Sequence, residues 1–303
     1  MKQKKHRVKM GISDRIYYAI AVLIVAFVVV ITIYPLYFVC VASVSDPTLV
    51  LNGKVLFLPK GIQLQGYQRI FQYKNIWSSY LNTVIYTVVG TGLNVVMTMT
   101  AAFVLSRRRF YGKQLIMLMI VFTMYFGGGM IPTYLNIRNL HLLDSFWAMI
   151  LPGAVSAYNL IIARSFMQSS IPHEMQEAAI IDGASYIQFY LKIVLPLSTP
   201  VVGVLTLYYA VGHWNSYMDA LLYLSSREKY PLQMILREIL IQNQFSTADL
   251  ASMNDTEAMM SAENMKQLLK YGLIVVSSLP MIILYPFLQK FFVKGVMIGS
   301  LKD

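Results

Sequence analysis

Long apolar runs alternate with short polar or basic intervals along almost the whole chain. The first run covers residues 16–41, behind the basic segment at 1–9. About 20 helical residues cross a bilayer core, so this run is long enough to span. A secretory signal has the same order of charge and apolar residues, but its apolar core is only about 7–15 residues long. No small-x-small cleavage site follows the run here. Further runs cover residues 80–105, 114–132, 145–168, 195–217 and 271–292. The pattern predicts an all-α membrane protein with six transmembrane helices.

The polar positions within and between these runs refine the picture. Residues 43–78 carry the turn signals Asp46-Pro47, Asn52-Gly53 and Pro59-Lys60-Gly61, with a short interfacial helix at 67–71. The second run holds Gly90, Gly92, Thr98 and Thr100, small residues that let membrane helices approach closely. Asn82 and Asn94 in the same run serve either to bond neighbouring helices or to line a pathway. The third run reaches Gly127-Gly128-Gly129-Met130-Ile131-Pro132, a sequence that disrupts a helix. Broken backbone at membrane depth is tolerated where it faces protein or water. Residues 126–134, including Gly128 and Tyr134, read either as pore wall or as a helix end emerging from the bilayer, and 136–141 as a short outer loop.

His213, Trp214, Asn215 and Asp219 cluster at the end of the fifth run. An aromatic ring beside hydrogen-bonding groups suits a sugar, and equally suits the aromatic belt at a membrane surface. Leu232, Ile235, Leu236 and Ile239 share one face of an amphipathic helix predicted over 231–241. Residues 242–263 are poor in apolar positions and read as a loop without structure of its own.

One interval has an internal grammar. Residues 172–196 read PHEMQEAAIIDGASYIQFYLKIVLP. Pro172 starts a helix at no cost, because a first-turn N–H is unpaired anyway. Glu174 and Glu177 follow in its first turns, where carboxylates are favoured. Asp182-Gly183 is a stop signal, and Ser185 with Gln188 reads as a capping box opening a second helix. The prediction is helix, tight turn, helix at a membrane surface.

Composition agrees. The 303 residues are 57% hydrophobic and 13% charged, against about 25% charged in soluble domains. The net charge of +11 forms no aromatic-interleaved patch. Its cations flank the apolar runs, as at Ser106-Arg107-Arg108-Arg109, and mark cytoplasmic loops. The single Cys40 excludes an internal disulfide and a cysteine zinc site.

Glu177-Ala178-Ala179, Gly183, Ile193 and Leu195-Pro196, at their spacing, resemble the EAA loop of binding-protein-dependent ABC importer permeases. The segment FLPKGIQLQGYQRIF and the glycine-containing end of the chain are similar to sugar-type permeases, and YPLQMILREILI to a subgroup associated with complex oligosaccharides or polysaccharides. The resemblance implies a type I ABC importer permease fold with cytoplasmic coupling helices. It implies a second homologous permease, two cytoplasmic ATPase subunits and an extracytoplasmic solute-binding protein as partners. ATP and magnesium would bind the ATPase, with no cofactor and no metal in this chain. Glu174, Glu177, Ala178, Ala179, Asp182, Gly183, Leu195 and Pro196 would make up the coupling loop. The expected boundaries are a basic tail at 1–15, a membrane domain at 16–293 with its core at 80–292, a coupling loop at 170–194, an outer loop at 218–270 and a tail at 294–303. Both termini would be cytoplasmic, in a bacterial cytoplasmic membrane.

No Walker A loop, HExxH or GxSxG occurs, so the chain reads as a non-catalytic subunit. The runs contain no carboxylate pair of the kind that ion-coupled carriers place in their spans. An ion-coupled secondary transporter is therefore the weaker alternative, as is a permease for a non-sugar solute.

Overall fold

The computed structural model describes residues 11–108, 110–251 and 256–299, with side chains placed except at 242–259, 288 and 290–299. Arg109 and most of the basic N-terminal tail lie outside the described residues, as does the chain from Ser300 on. The described secondary structure is helical throughout. In chain order the helices are α1 (Ile12–Ala42), α2 (Pro47–Leu51), α3 (Gln65–Gln72), α4 (Ile76–Ser106), α5 (Lys113–Tyr125), α6 (Met130–Asn139), α7 (Ala157–Ser170), α8 (His173–Ile181), α9 (Tyr186–Leu197), α10 (Thr199–Trp214), α11 (Tyr217–Tyr223), α12 (Leu232–Ala251) and α13 (Thr256–Gly299). Among the described residues three stretches are long and apolar enough to cross a membrane as single helices: α1, α4 and Met260–Phe287 of α13. Two bent pairs, α5 with α6 and α9 with α10, raise the number to five.

The chain divides into two compact units, Met1–Ile70 with Asn243–Val275, and Phe71–Gln242 with Val276–Asp303. In the first, Val41, Ala42, Val50 and Val55 form a small core against Phe38, Leu49 and Tyr271. The predicted turn at Asp46-Pro47 is instead a helix start. Asp46 accepts from the Thr48 and Leu49 amides and Pro47 opens α2, a standard N-cap with proline at the first position. Among the described residues most of α1 is exposed, and Val41 and Ala42 are its fully buried positions.

The second unit is built around α4, with α7 and α10 packed against it. Its main core joins Met99, Ala102 and Phe103 of α4 to Leu160, Ala163 and Met167 of α7 and to Val201 and Leu205 of α10. The face predicted for the amphipathic helix is buried as a set: Leu232, Ile235, Leu236 and Ile239 are each at most 5% exposed.

Four expectations need correction. Residues 145–168 are not one helix: a 3-10 turn at Phe146–Met149 leads through Pro152-Gly153 to α7. Proline and glycine break the helix, and side chains from α4 and α10 satisfy the freed backbone. Asn94 Nδ2 donates to the Gly153 carbonyl (3.1 Å), and the Ser156 amide donates to Tyr209 Oη (3.0 Å). Second, the apolar run at 114–132 bends by 118° at Gly127-Gly128-Gly129, and α6 continues to Asn139 where a loop was expected. Third, the run at 195–217 is not one helix: Leu195 and Pro196 belong to the end of α9, and after a 78° bend α10 runs only from Thr199 to Trp214. Fourth, the backbone of 242–251 and 256–263 is helical, part of α12 and α13, although these residues are poor in apolar side chains.

Asp144 ties two loops of the second unit together. Its carboxylate accepts from the Ser225 amide (3.0 Å), the Ser226 amide (2.9 Å), the Ser226 hydroxyl and Lys229 Nζ (2.9 Å). The Ser226 hydroxyl and amide hold its pKa well below the ordinary aspartate value, with Lys229 and Ser225 adding to them. A depressed carboxyl pKa contributes stability at neutral pH that is lost as pH falls below the ordinary carboxylate range. Asp144→Ala is expected to lower stability by about 1–3 kcal/mol at pH 7 and by much less near pH 2, well below the ordinary aspartate range and closer to the depressed native value. Thermal unfolding in detergent at the two pH values measures this. An equal loss at both would remove the charge-assisted bonds as the cause.

Candidate functional site

The interval at 172–196 folds as its grammar demands. Pro172 precedes α8 and Glu174 lies in its first turn. The helix stops at Asp182, and Gly183 takes φ +79°. The Gly183 amide then bonds the Ile180 carbonyl (3.0 Å) and the Ala184 amide the Ala179 carbonyl (2.9 Å), which is a Schellman closure. Ser185 and Gln188 complete the capping box in both directions, at 3.2 and 2.9 Å. After a π-helical stretch at Tyr190–Val194, α9 ends and α10 leaves at a 78° bend. Pro200 has no N–H for the carbonyl four residues back, that of Pro196. The Thr199 hydroxyl donates to it instead (2.6 Å).

The two faces of this hairpin differ sharply. Ala179 is buried among Phe103, Met167 and Phe189, and its small side chain lets α8 lie close. Glu174, Glu177, Ala178, Asp182 and Gly183 are exposed, and so is Pro196, while Leu195 is half-buried. Two large apolar residues stand out with them, Ile181 at 85% and Ile187 at 70% exposure. Large apolar side chains exposed beside charged ones make this face a candidate for contact with a partner.

Arg107 joins the hairpin to α4. Its side chain is buried at 6% exposure. Nη1 donates to Gln176 Oε1 (3.1 Å), Nε to Ser106 Oγ (3.0 Å), and the guanidinium lies 5.0 Å from the Phe103 ring centroid and 6.0 Å from that of Phe189. Neighbouring cations satisfy the last carbonyls of α4: Arg164 Nε bonds Leu105 O (3.1 Å) and Lys113 Nζ bonds Arg107 O (3.2 Å). Cations at a helix C-terminus complement its dipole. Burial, with Arg108, Arg107 and Lys113 adding to it against Glu174, holds the His173 imidazole below its ordinary pKa.

A second feature lies where α4 meets α10. Asn94 Nδ2 is 3.2 Å from His213 Nε2, and both residues are buried. Gly90 makes the approach possible, since a Cβ there would lie 2.4 Å from His213 Nε2. Thr98 and Tyr209 share a hydrogen bond of 2.7 Å one turn further along α4. A cavity of about 200 Å³ opens beside these groups, with Gly153, Tyr208 and Asp219 also on its wall. Asn94 Oδ1 is buried without a hydrogen-bond partner among the described residues.

A model of the family described as binding-protein-dependent transport system inner membrane component matches residues 76–298. The chain belongs to this family. Among its relatives is the polygalacturonan/rhamnogalacturonan transport system permease protein YtcP of Bacillus subtilis (strain 168), 41% identical over 90% of this chain and 93% of that protein. Protein LplC of the same organism is 39% identical over 98% and 97%. Among solved structures, a bacterial ABC transporter involved in the import of the acidic polysaccharide alginate matches with a TM-score of 0.79 and 33% identity, covering 94% of this chain and 99% of that one.

In this permease the residues singled out in the sequence sort into separate places. The residues of 174–196 form one hairpin, α8 and α9. Asn94 and His213 meet at the cavity. Trp214 does not join them: it is 3% exposed, its indole N–H bonds Ser277 O (2.9 Å) and its ring meets Tyr80 edge-on. Asn215 Nδ2 caps back onto Val211 O (3.0 Å). Asn82 Nδ2 holds the carbonyls of Glu228 (2.6 Å) and Tyr230 (3.2 Å). Gly128 lies in the break between α5 and α6, and Tyr134 packs against Ile137, Ala148 and Tyr223. Arg107, Gly90 and Tyr209 were not legible as a site. Arg107 reads in sequence as one cation of a basic run, and nothing local pairs Gly90 with a histidine 123 positions away.

Proposed function

We propose that this permease is the membrane subunit of an ATP-driven importer that takes up an oligosaccharide or polysaccharide fragment delivered by an extracytoplasmic binding protein. The hairpin α8–α9 carries the reading. It is fixed on one face by Ala179, Arg107 and Phe189 and exposes Glu174, Glu177, Ile181 and Ile187 on the other. The named substrates of the relatives, polygalacturonan, rhamnogalacturonan and alginate, support the carbohydrate class.

In this reading a second homologous permease completes the pathway, and the hairpin docks on one of two cytoplasmic ATPase subunits, which bind ATP and magnesium. Both termini lie in the cytoplasm. Closure of the ATPases moves α8, and the rigid seat on α4 passes that motion to the spans. Glu177 pairs with a basic group of the ATPase, and the small Ala178 lets the helix enter its cleft. The cavity beside Asn94 and His213 is the pathway contact within this chain. Its free Asn94 oxygen accepts a sugar hydroxyl and the face of Tyr208 packs against a pyranose ring.

The test is purification from native cells in mild detergent, identification of the companions, and an ATPase assay with binding protein and candidate glycans. A second permease and ATPase subunits are expected. Glu177→Ala is expected to lower glycan-stimulated ATP hydrolysis at least about tenfold, because truncating one partner of a desolvated charge pair at an interface is costly. A chain that purifies without an ATPase and moves solute along an ion gradient would overturn the reading.

A further inference from the structure

We propose that the pocket between the end of α4 and the first turns of α8 is a binding site for a phosphate-type oxyanion. Its wall consists of Arg107, Arg108, His173, Gln176, Glu177 and Ile180, around a cavity of about 120 Å³. The deciding observation is the unused edge of a buried arginine. Arg107 has its Nε on Ser106 and its Nη1 on Gln176, with the rings of Phe103 and Phe189 beside it. Its Nη2 is buried and has no hydrogen-bond partner among the described residues.

Nor do the described residues place a carboxylate within 4.0 Å of either Arg107 or Arg108. A buried guanidinium with an unmet donor and no counter-charge is an expensive arrangement. It is relieved by a ligand that brings negative charge and several acceptor oxygens to one point. The planar arginine fork fits phosphate geometry, and Arg108 and His173 offer donors from other sides of the same cavity. Lys113, bonded to the Arg107 carbonyl, adds positive charge behind it. Against these stand Glu177 on the wall and Glu174 one turn away.

Glu177 gives the site its consequence. Its carboxylate stands on the same wall and opposes an anion there. In the coupling reading proposed above, Glu177 pairs with a basic group of the ATPase, which neutralises that opposing charge and favours phosphate. The pocket stands on the geometry of this chain alone, and only that consequence rests on the coupling reading. Two sources supply the chemistry: a soluble phosphate ester, or the headgroup of an anionic phospholipid held by basic residues at the end of a membrane helix.

The full-length permease in phosphatidylcholine nanodiscs, without ATPase, is titrated with inorganic phosphate at constant ionic strength. Hydrogen exchange of residues 173–184 and native mass spectrometry are the readouts. For a soluble source, saturable protection is expected with phosphate and not with chloride. For a lipid source, protection appears without added phosphate once phosphatidylglycerol is included, and that lipid is retained one per chain. In either case Arg107→Gln weakens binding roughly tenfold or more. The exposed Arg108→Gln, which leaves the packing of α4 intact, weakens it severalfold, and Glu177→Gln tightens it. Protection absent with both phosphate and phosphatidylglycerol overturns the proposal. So does protection that Arg108→Gln and Glu177→Gln leave unchanged, because Arg107 is then only a structural clamp. Because no ATPase is present, a failure of the coupling reading leaves this result standing, and the reverse holds.

Discussion

Gly90→Val is expected to destabilise the permease by about 2–4 kcal/mol and to abolish transport. A Cβ at position 90 would lie 2.4, 2.6 and 2.8 Å from three atoms of the His213 ring. Separations below 3.0 Å require something to move. The ring is poorly free to do so: it is 9% exposed and its Nε2 is shared with Asn94 (3.2 Å). Either His213 leaves its place, stranding Asn94 in the interior, or α4 and α10 separate and open the core around Met99 and Leu205. Both costs fall on a total of about 5–15 kcal/mol for a folded domain. Thermal unfolding in detergent gives the size of the effect. A double-mutant cycle gives the cause: adding His213→Ala to Gly90→Ala is expected to recover at least about 1 kcal/mol relative to the sum of the single changes. Strict additivity would show that the two helices do not meet at this point.

Gly183→Val is expected to uncouple the permease while leaving it folded. The position has φ +79°, where a β-branched side chain is strained by about 1–2 kcal/mol. No atom lies within 4 Å of a Cβ built there, so the cost is conformational and is relieved by undoing the turn. Relief shifts the start of α9 at Ser185 relative to α8 and spoils the exposed face. Gly53 is the internal control. It has φ +67°, an equally open Cβ site and the same closure, with its amide on Val50 O and the Lys54 amide on Leu49 O. Gly53→Val carries the same backbone strain at the end of α2. Uptake and glycan-stimulated ATP hydrolysis are expected to fall at least about tenfold in Gly183→Val and to stay within about twofold of wild type in Gly53→Val. Equal losses in both would assign the effect to general strain and not to the coupling hairpin.

Legibility in the sequence followed the range of the interactions. The capping box at Ser185 and Gln188, the stop at Gly183 and the apolar face of α12 rest on residues within a turn or two of one another. Each could be read from spacing. The breaks were harder. Pro152-Gly153 and Gly127-Gly128-Gly129 were visible as disruptive residues, yet whether they end a span or interrupt one depends on what accepts the freed backbone. Asn94 and Tyr209, from two other helices, make the interruption at Gly153–Ser156 tenable. Trp214 shows the same limit from the other side. Its chemistry suits a sugar or a membrane surface, and the partner that occupies it, Ser277, is 63 residues away.

The sequence by itself determined the apolar runs, the positions where helices start and stop around the α8–α9 hairpin, and the absence of a nucleotide-binding motif. These depend on hydrophobic length and local backbone chemistry, which act between near neighbours. Only the tertiary structure decided which polar groups remain unmatched. It turned Arg107 from one cation in a basic run into a buried clamp with a donor that no described residue meets, and brought Gly90 against His213. Burial and hydrogen-bond satisfaction are properties of packed helices, and no local pattern encodes which distant residue will fill a given site.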